Sequence, residues 1–320
     1  MPQTNDHVYT EEDRDIISMM IADAIAKGRT NGVYEQIAVE IGVHNPDAVR
    51  KYARSLGLPP IRLNKQAVAA IWERPPIADL SSQVLRVEAE RAVIGADLHE
   101  PYLHRDLFYE FLDDCQGADL AAVVGDLTQS DLFSKFAPRG QTYEDPQATA
   151  ALVMQDVDLI LQVVDRLLVI PGNHDFFLTR ATEGALSPFA LIENWANEKY
   201  GERITFSKFP FAYLTACGQQ WMLHHPDTYR VVPGSIARDM CNRYECNIAC
   251  GHSHISGESV SKAGHYAVDI GGLVDERTVP YRYYTDRPYG VWSPGWLILD
   301  ERGHYLRNHA PLSVEGHVVN

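Results

Sequence analysis

The sequence has little cysteine, no long apolar run and a shortage of basic side chains. Its five cysteines among 320 residues are too few and too unevenly spread for a disulfide framework, as expected in a reducing compartment. The uncharged apolar stretches are far shorter than the roughly 20 residues of a transmembrane helix. The amino-terminal segment is polar and acidic, which is not the pattern of a secretory signal. We therefore expect a cytoplasmic protein with no membrane association.

Acidic side chains outnumber basic ones by 43 to 28, and the excess is unevenly distributed. Residues 1–75 carry 9 basic and 10 acidic side chains, which leaves 19 basic and 33 acidic ones in residues 76–320. A surface this acidic repels phosphate polymers unless metal ions or a separate basic patch intervene. A nucleic-acid substrate thus requires one of these two features.

Residues 10–57 have the pattern of three short helices. Thr10 precedes three consecutive acidic residues, as an N-cap does before the first turn of a helix. A second helix is predicted over residues 33–41. The third begins at the Asn45-Pro46 pair, where asparagine is a favoured N-cap and proline a favoured first helical residue.

The segment from Gln36 to Val43 and the helix after it resemble a helix-turn-helix module, with Ala38 at the helix crossing and Gly42 in the turn. The turn is one residue longer than that pattern. Against a single acidic residue, Asp47, the basic residues over 45–65 are Arg50, Lys51, Arg54, Arg62 and Lys65. We expect the first three to contact nucleic-acid phosphates. The alternative is a helical bundle for packing or oligomerisation, with its basic residues merely solvated.

The chain is predicted to have a helical domain over residues 1–60, a linker over 61–82 and a catalytic domain over 83–320. Pro75 and Pro76 interrupt regular structure within the linker. Beyond it, short apolar strands alternate with helices, which is the pattern of a layered α/β domain. We find no internal repeat.

Five predicted strands of this domain run directly into polar residues. Ligand sites of α/β sheets lie at the carboxyl ends of strands. Aspartate, asparagine and histidine together suit Mn²⁺, with Fe or Zn²⁺ as alternatives. Two such ions about 3.5–4 Å apart bind a phosphate between them and activate a water molecule. The polar blocks are Asp97-Leu98-His99, Gly125-Asp126, Gly172-Asn173-His174-Asp175, His224-His225 and Gly251-His252-Ser253-His254.

Glycine recurs beside these polar residues, at Gly125, Gly172 and Gly251. We expect these three glycines to let the backbone bend sharply next to the metal ions.

In this order, the five blocks resemble the motifs of the calcineurin-like metallophosphoesterase superfamily, over about residues 85–310. The resemblance implies an α/β fold, a four-layer α/β/β/α sandwich of two sheets flanked by helices. It also implies a proton donor or phosphate contact at His174, oriented by Asp175. The implied ligands are Asp97, His99 and His254 for one ion, Asn173, His225 and His252 for the other, and Asp126 as the bridge.

The fourth block departs from the family pattern, and the second block helps to decide which branch of the superfamily the sequence resembles. The fourth block reads His224-His225, so we align His225 with the ligand and keep His224 as the alternative. The second block lacks the Asp-Arg pair of Ser/Thr protein phosphatases. The motifs look closer to SbcD-type DNA-repair exonucleases and to cyclic-nucleotide phosphodiesterases.

The expected activity is metal-dependent hydrolysis of phosphodiester bonds, on DNA or another nucleic acid. One alternative is a nucleotide or small phosphomonoester hydrolase, in which the helical module only builds an oligomer. Another is a DNA-binding regulator whose phosphoesterase domain senses a ligand.

Two further regions and three cysteines have weaker signals. Residues 130–146 and the aromatic, basic stretch 279–296 suit contact with a nucleotide, and the latter equally suits a β-hairpin edge. Cys241, Cys246 and Cys250 do not have zinc-ribbon spacing, so we predict buried structural thiols.

Overall fold

The described part of the chain falls into two compact units, one within residues 1–78 and one within 79–320. Most of the predicted linker, including Arg62 and Lys65, lies outside the described residues. No helix in this part combines the length and apolar character that crossing a bilayer requires. The computed structural model describes residues 8–27, 29, 31–58, 80–134, 145–280, 282 and 291–311.

The described residues of the N-terminal unit form three helices, and two of their starts are confirmed as predicted. The Thr10 hydroxyl accepts a hydrogen bond from the Asp13 backbone N–H, while the Asp13 carboxylate accepts one from the Thr10 N–H, which completes a capping box. The Asn45 side chain accepts from the backbone N–H of Asp47. The helices are α1 (Glu11–Ala26), α2 (Val33–Glu40) and α3 (Pro46–Ser55).

A small apolar core of its own holds the N-terminal unit together. Ile17 of α1, Ile37 of α2 and Val49 of α3 are fully buried in it. Gly42 has a φ of +68° between α2 and α3, a left-handed conformation that glycine adopts without strain. The helical arrangement thus follows from apolar residues at helical spacing and one glycine turn.

One sheet of the second unit is mostly parallel. Its strand order is β12-β11-β2-β3-β4-β5, in which β2 to β5 are parallel and β11 is antiparallel to β2 and β12. The strands are β2 (Ala92–Ala96), β3 (Leu120–Val124), β4 (Arg166–Ile170), β5 (Ile204–Phe206), β11 (Gly295–Asp300) and β12 (Gly303–Asn308).

The other sheet has the order β1-β6-β7-β8-β10-β9. Its strands β7, β8 and β10 run parallel to one another, so their carboxyl ends share an edge. The strands are β1 (Arg86–Ala89), β6 (Phe211–Ala216), β7 (Gln219–His224), β8 (Asn247–Cys250), β9 (Gly257–Val260) and β10 (Tyr266–Asp269).

The two sheets pack face to face with helices on both outer sides. Along β3, Leu120, Ala122 and Val124 face the core between the sheets, while Ala121 and Val123 face a core shared with helices. The predicted four-layer α/β/β/α sandwich is confirmed. Helices α4 (Arg105–Cys115), α5 (Pro146–Val163) and α7 (Pro188–Tyr200) cover the first sheet, α8 (Ser235–Tyr244) covers the second, and α6 (Phe177–Ala181) is a short helix after β4.

All five cysteines are free thiols, and two of the three that were predicted to be buried, Cys241 and Cys250, are buried. Cys241 and Cys250 are buried between α8 and the second sheet, and Cys246 is half-buried beside them. Cys250 Sγ lies 3.0 Å from a carboxylate oxygen of Asp269 at the end of β10. These three thiols are part of the packing between α8 and the second sheet.

We expect Phe111→Ala to lower the free energy of unfolding by about 3–5 kcal/mol, because the ring is fully buried against Gly95 and Trp296. Urea unfolding followed by tryptophan fluorescence measures the loss. Tyr109→Ala, on the same helix but 55% exposed, is the control and should change stability by about 0.5 kcal/mol or less. Equal losses for the two variants would contradict this account of the core.

Candidate metal centre

The strand ends of both sheets converge on one cluster of carboxylates and imidazoles. In the first sheet, β2, β3 and β4 are parallel neighbours, and the second sheet contributes the ends of β7 and β8. The potential ligand atoms form three overlapping groups of three, and the atoms within each group lie within 4.8 Å of one another. The seven residues are Asp97, His99, Asp126, His174, His225, His252 and His254.

Two of these groups consist of residues that were predicted as ligands, although neither contains the whole predicted set and Asn173 is in neither. Asp97, His99 and His254 form one, and Asp126, His225 and His252 form another. The third group is His99, Asp126 and His174. The structure therefore brings the predicted residues together, while their individual ligand roles stay a prediction.

Each carboxylate presents one oxygen to the backbone and the other to the imidazoles. The backbone N–H of His252 donates to Asp97 Oδ2 at 2.8 Å, and that of His174 donates to Asp126 Oδ1 at 2.8 Å. The remaining oxygens, Asp97 Oδ1 and Asp126 Oδ2, lie 3.2 and 3.1 Å from His225 Nε2. The site therefore directs ring nitrogens and carboxylate oxygens toward one shared space.

Both carboxylates are buried, so their negative charge requires compensating positive charge nearby. Asp97 and Asp126 are 0% and 1% exposed, and their ion-pair partners among the described residues are all histidines. Removing an ion from water costs several kcal/mol unless a partner of opposite charge replaces the lost hydration. Buried oxygen and imidazole donors of this kind fit divalent transition-metal ions.

The environment favours the protonation state of a metal ligand at some of these groups but not at all of them. In spite of burial, the carboxylates of Asp126 and Asp97 raise the pKa of His225 well above its ordinary value, and burial raises the pKa of Asp97. Burial lowers the pKa of His174 and His252 to about 3 and shifts the pKa of His254 well below its ordinary value. Burial alone would raise the pKa of Asp126, but His225 and His174 hold it well below its usual range. Neutral imidazole and ionised carboxylate are the forms that bind metal ions.

Five residues of the cluster have a left-handed backbone conformation that non-glycine residues rarely adopt. Such strain persists only where surrounding structure enforces it, and it concentrates at functional sites. The φ angles are +53° at Asp97, +51° at His99, +45° at Asp126, +79° at His252 and +56° at His254.

The three glycines beside the cluster have two different functions. Gly125 has a φ of +85°, so it provides the predicted sharp bend. Gly172 and Gly251 lie outside the left-handed region, so their backbone conformation is open to other residues. They provide space instead, since a Cβ at position 172 would lie 2.1 Å from Asp126 Oδ1, and one at 251 would lie 2.8 Å from Asp97 Oδ2.

The structure separates the two histidines of the fourth block. His225 lies in the cluster, whereas His224 is the last residue of β7 and its ring lies 5.9 Å from the Phe211 ring. Adjacent side chains along an extended chain face opposite ways, so only one of the two can enter the site.

Asn173 lies between two residues that contact Asp126. The Gly172 backbone packs against that carboxylate, and the His174 N–H donates to it. The Asn173 Oδ1 atom is buried and has no hydrogen-bond partner among the described residues. An orphaned oxygen donor at this position fits the ligand role predicted for it.

Asp175, which was predicted to orient His174, makes its hydrogen bonds to the Thr128 and Gly172 groups instead of to the His174 ring. Asp175 accepts hydrogen bonds from the Thr128 backbone and hydroxyl through Oδ1 and from the Gly172 N–H through Oδ2. These bonds tie the loops after β3 and β4 together. The carboxylate facing the His174 ring is that of Asp131, whose Oδ1 lies 3.6 Å from Nδ1.

Gln129 is a site residue that sequence reasoning missed. Its buried Oε1 atom makes a short hydrogen bond with His99 Nδ1, which leaves His99 Nε2 to face the cluster. No motif signalled this residue, because the contact joins the loops after β2 and β3.

A buried ion-pair network next to His99 was also missed. Arg105 at the start of α4 reaches Glu100 at 2.6 Å and Asp156 of α5 at 2.7 Å, and both carboxylates are fully buried. Burial raises the pKa of Glu100 to about 9, with Asp156 contributing. The network anchors the loop that contains His99 to two helices.

The predicted phosphate-contacting residues share the exposed side of α3. Arg50, Lys51 and Arg54 are exposed, while Val49 and Ala53 are buried on the opposite side. One helix of the N-terminal unit therefore presents three basic side chains to solvent. Arg50 also pairs with Asp47 at 3.0 Å.

Parts of the two predicted substrate regions lie outside the described ranges, namely residues 135–144, 281 and 283–290. In the described remainder, Trp292 is 3% exposed and its ring lies 4.1 Å from that of His254. This tryptophan therefore packs behind the cluster rather than on an open hairpin edge.

No protein-family model and no curated protein matches the sequence. The structure is similar to Zn-complexed Vps29 from Entamoeba histolytica, with 10% identity, a TM-score of 0.34 and coverage of 68% of this chain and 98% of that one. A dimetal phosphatase from Danio rerio has 10% identity and a TM-score of 0.36, covering 70% and 96%. A putative diadenosine tetraphosphatase has 14% identity and a TM-score of 0.37, covering 71% and 99%. At these scores, function has to be inferred from the site itself.

We expect Gly172→Ala to weaken Mn²⁺ binding by about tenfold or more, because the new Cβ would lie 2.1 Å from Asp126 Oδ1 and would displace that carboxylate. Equilibrium dialysis with metal analysis measures the affinity. Gly264→Ala is the control, since that glycine has a φ of +88° but nothing within 4 Å of a Cβ. Unchanged Mn²⁺ affinity in the Gly172 variant would contradict the assignment of Asp126 to the centre.

Proposed function

We propose that the protein is a dinuclear-metal phosphoesterase of the calcineurin-like type that hydrolyses phosphodiester bonds of nucleic acid in the cytoplasm. The observation that carries this proposal is the pair of buried carboxylates, Asp97 and Asp126, surrounded by imidazoles at the ends of two sheets. Two divalent ions, with Mn²⁺ as the first choice, supply Lewis-acid polarisation of the phosphate and a water molecule of lowered pKa.

The residues divide into two ligand sets that share one carboxylate. Asp126 is the proposed bridge, because it belongs to groups on both sides of the cluster. The remaining proposed ligands are Asp97, His99 and His254 for one ion and Asn173, His225 and His252 for the other.

His174 is the proposed contact to a phosphate oxygen or proton donor to the leaving oxygen. Its backbone is fixed by the bond to Asp126, and its ring lies 4.8 Å from the His99 ring. Asp131 faces its Nδ1 and favours one ring orientation. Asp175 supports the site indirectly by holding the loop that contains His174.

Nucleic acid is the proposed substrate because α3 of the N-terminal unit presents basic side chains, whereas acidic side chains are in excess in residues 76–320. Arg50, Lys51 and Arg54 protrude together from α3 and suit contact with successive phosphates. In this proposal, α3 retains the polymer and the metal centre cleaves it.

A nucleotide or small phosphoester hydrolase is the second candidate. The observation favouring it is the excess of acidic side chains, 33 against 19 basic ones, in residues 76–320. Such a surface disfavours a long polyanion in the absence of a tether.

We expect the protein to hydrolyse bis-p-nitrophenyl phosphate in the presence of Mn²⁺. Asp126→Asn should reduce turnover to background, and His174→Ala should reduce it by about 10²–10⁴-fold, the usual contribution of a general acid. His224→Gln changes the neighbouring histidine outside the cluster, so it should retain activity and serve as the control.

Hydrolysis of p-nitrophenyl phosphate without diester hydrolysis would move the assignment to the second candidate. Absence of both reactions with Mn²⁺, Fe²⁺ and Zn²⁺ would contradict a phosphoesterase. Full activity of Asp126→Asn would contradict the proposed bridge.

We expect replacement of Arg50, Lys51 and Arg54 by glutamine to weaken DNA binding and flatten its salt dependence. Each lost phosphate contact reduces the slope of log affinity against log salt by about 0.9 for duplex DNA and about 0.7 for single strands. Fluorescence anisotropy at several salt concentrations measures both quantities. Arg14→Gln, at an exposed position of α1, is the control; equal effects of the two changes would argue against α3 as the contact surface.

A further inference from the structure

Two partly exposed aromatic rings lie next to the histidines of the metal cluster. We propose that Phe177 and Tyr229 are stacking surfaces for a nucleobase of the substrate, adjacent to the phosphoester that is cleaved. This inference rests on the proposed function and specifies which part of a nucleic-acid substrate the catalytic unit recognises.

Phe177 is the first residue of α6 and follows the loop that contains Asn173 and His174. Its ring centroid lies 4.6 Å from that of His174, at an interplanar angle of 45°. The side chain is half-buried. Phe177 therefore borders the cluster on the side of the proposed phosphate contact.

Tyr229 comes from a different loop, which follows β7 and the cluster residue His225. Its ring centroid lies 6.5 Å from that of His252, with an interplanar angle of 81°. This ring is also half-buried, and Arg230 after it is exposed. The loops after β4 and β7 thus each place one aromatic ring against a different histidine of the same centre.

The two rings differ from the aromatic side chains of the described hydrophobic cores. Neither belongs to the hydrophobic clusters that the described residues form. Trp292 provides the contrast, because it also contacts a cluster histidine but is buried in a small core with Ile255 and Val274. Phe177 and Tyr229 also lie against histidines of the cluster, but their side chains are only half-buried.

A nucleobase is the substrate group that such rings recognise. Aromatic side chains stack on the flat face that every base offers, largely irrespective of sequence. The acidic surface of the catalytic unit gives little attraction to distant phosphates, so an uncharged flat group is an effective source of local affinity. Stacking on Phe177 or Tyr229 requires a base freed from its neighbours, as in a single strand or a nucleotide.

The test compares two esters that release the same p-nitrophenolate. One is the p-nitrophenyl ester of thymidine 5′-phosphate, and the other is methyl p-nitrophenyl phosphate, which has no base. We expect Phe177→Ala and Tyr229→Ala each to lower kcat/KM for the thymidine ester by about fivefold or more, the effect of losing one stacking partner. The methyl ester should be hydrolysed at the rate of the unmodified protein.

Two further variants serve as controls. Tyr229→Phe keeps the ring and should retain the preference for the thymidine ester. Tyr244→Ala removes a tyrosine that is 44% exposed near the amino end of β8, the end opposite the cluster, and should change neither ester.

Calorimetric binding of thymidine 5′-monophosphate and methyl phosphate gives a readout that does not depend on turnover. The alanine variants should bind the nucleotide more weakly and methyl phosphate unchanged. Equal losses for both ligands, or no loss for either, would overturn the inference. Failure of the unmodified protein to hydrolyse either ester would contradict the proposed function instead, and the binding comparison would still decide the stacking inference.

Discussion

The burial of Asp97 and Asp126 is the constraint on which the rest of the site depends. Two carboxylates almost without exposed surface cannot stay ionised in a folded domain without compensating charge. The chain supplies backbone N–H groups to one oxygen of each and imidazoles to the other. To surround these carboxylates, side chains from separate loops must approach within a few ångströms of one another. This close approach accounts for the five residues with left-handed backbone and for the glycines packed against the carboxylates.

The sandwich architecture makes such an approach possible. Parallel strands in the first sheet bring the residues after β2, β3 and β4 side by side, and the second sheet contributes those after β7 and β8. Buried apolar faces on both sides of each sheet hold these strand ends rigidly. Rigid strands thus position the proposed ligands, while the loops beyond them contain His174, Phe177 and Tyr229, the proposed contacts to a substrate.

In the proposed function, affinity and chemistry belong to different parts of the chain. The catalytic unit needs acidic ligands and has a strongly acidic composition, which is unfavourable for holding a polyanion. The N-terminal unit has its own core and presents basic residues on α3. Separate units allow each electrostatic requirement to be met without compromising the other.

Much of this organisation was predictable from the sequence because it depends on neighbours along the chain. The caps at Thr10 and Asn45 and the strand pattern are local, and they predicted the helices and a layered α/β domain. The order of the polar blocks carried the resemblance that implied the sandwich and the residues that gather at its edge. Tertiary structure decided which side of the chain faces the cluster at the end of β7, and therefore that His225 rather than His224 lies in it. It also decided that Asp131 faces His174, that Asp175 ties two loops and that Gln129 orients His99. Those contacts join separate loops, so their geometry is set by how the two sheets and their helices pack and not by spacing along the chain.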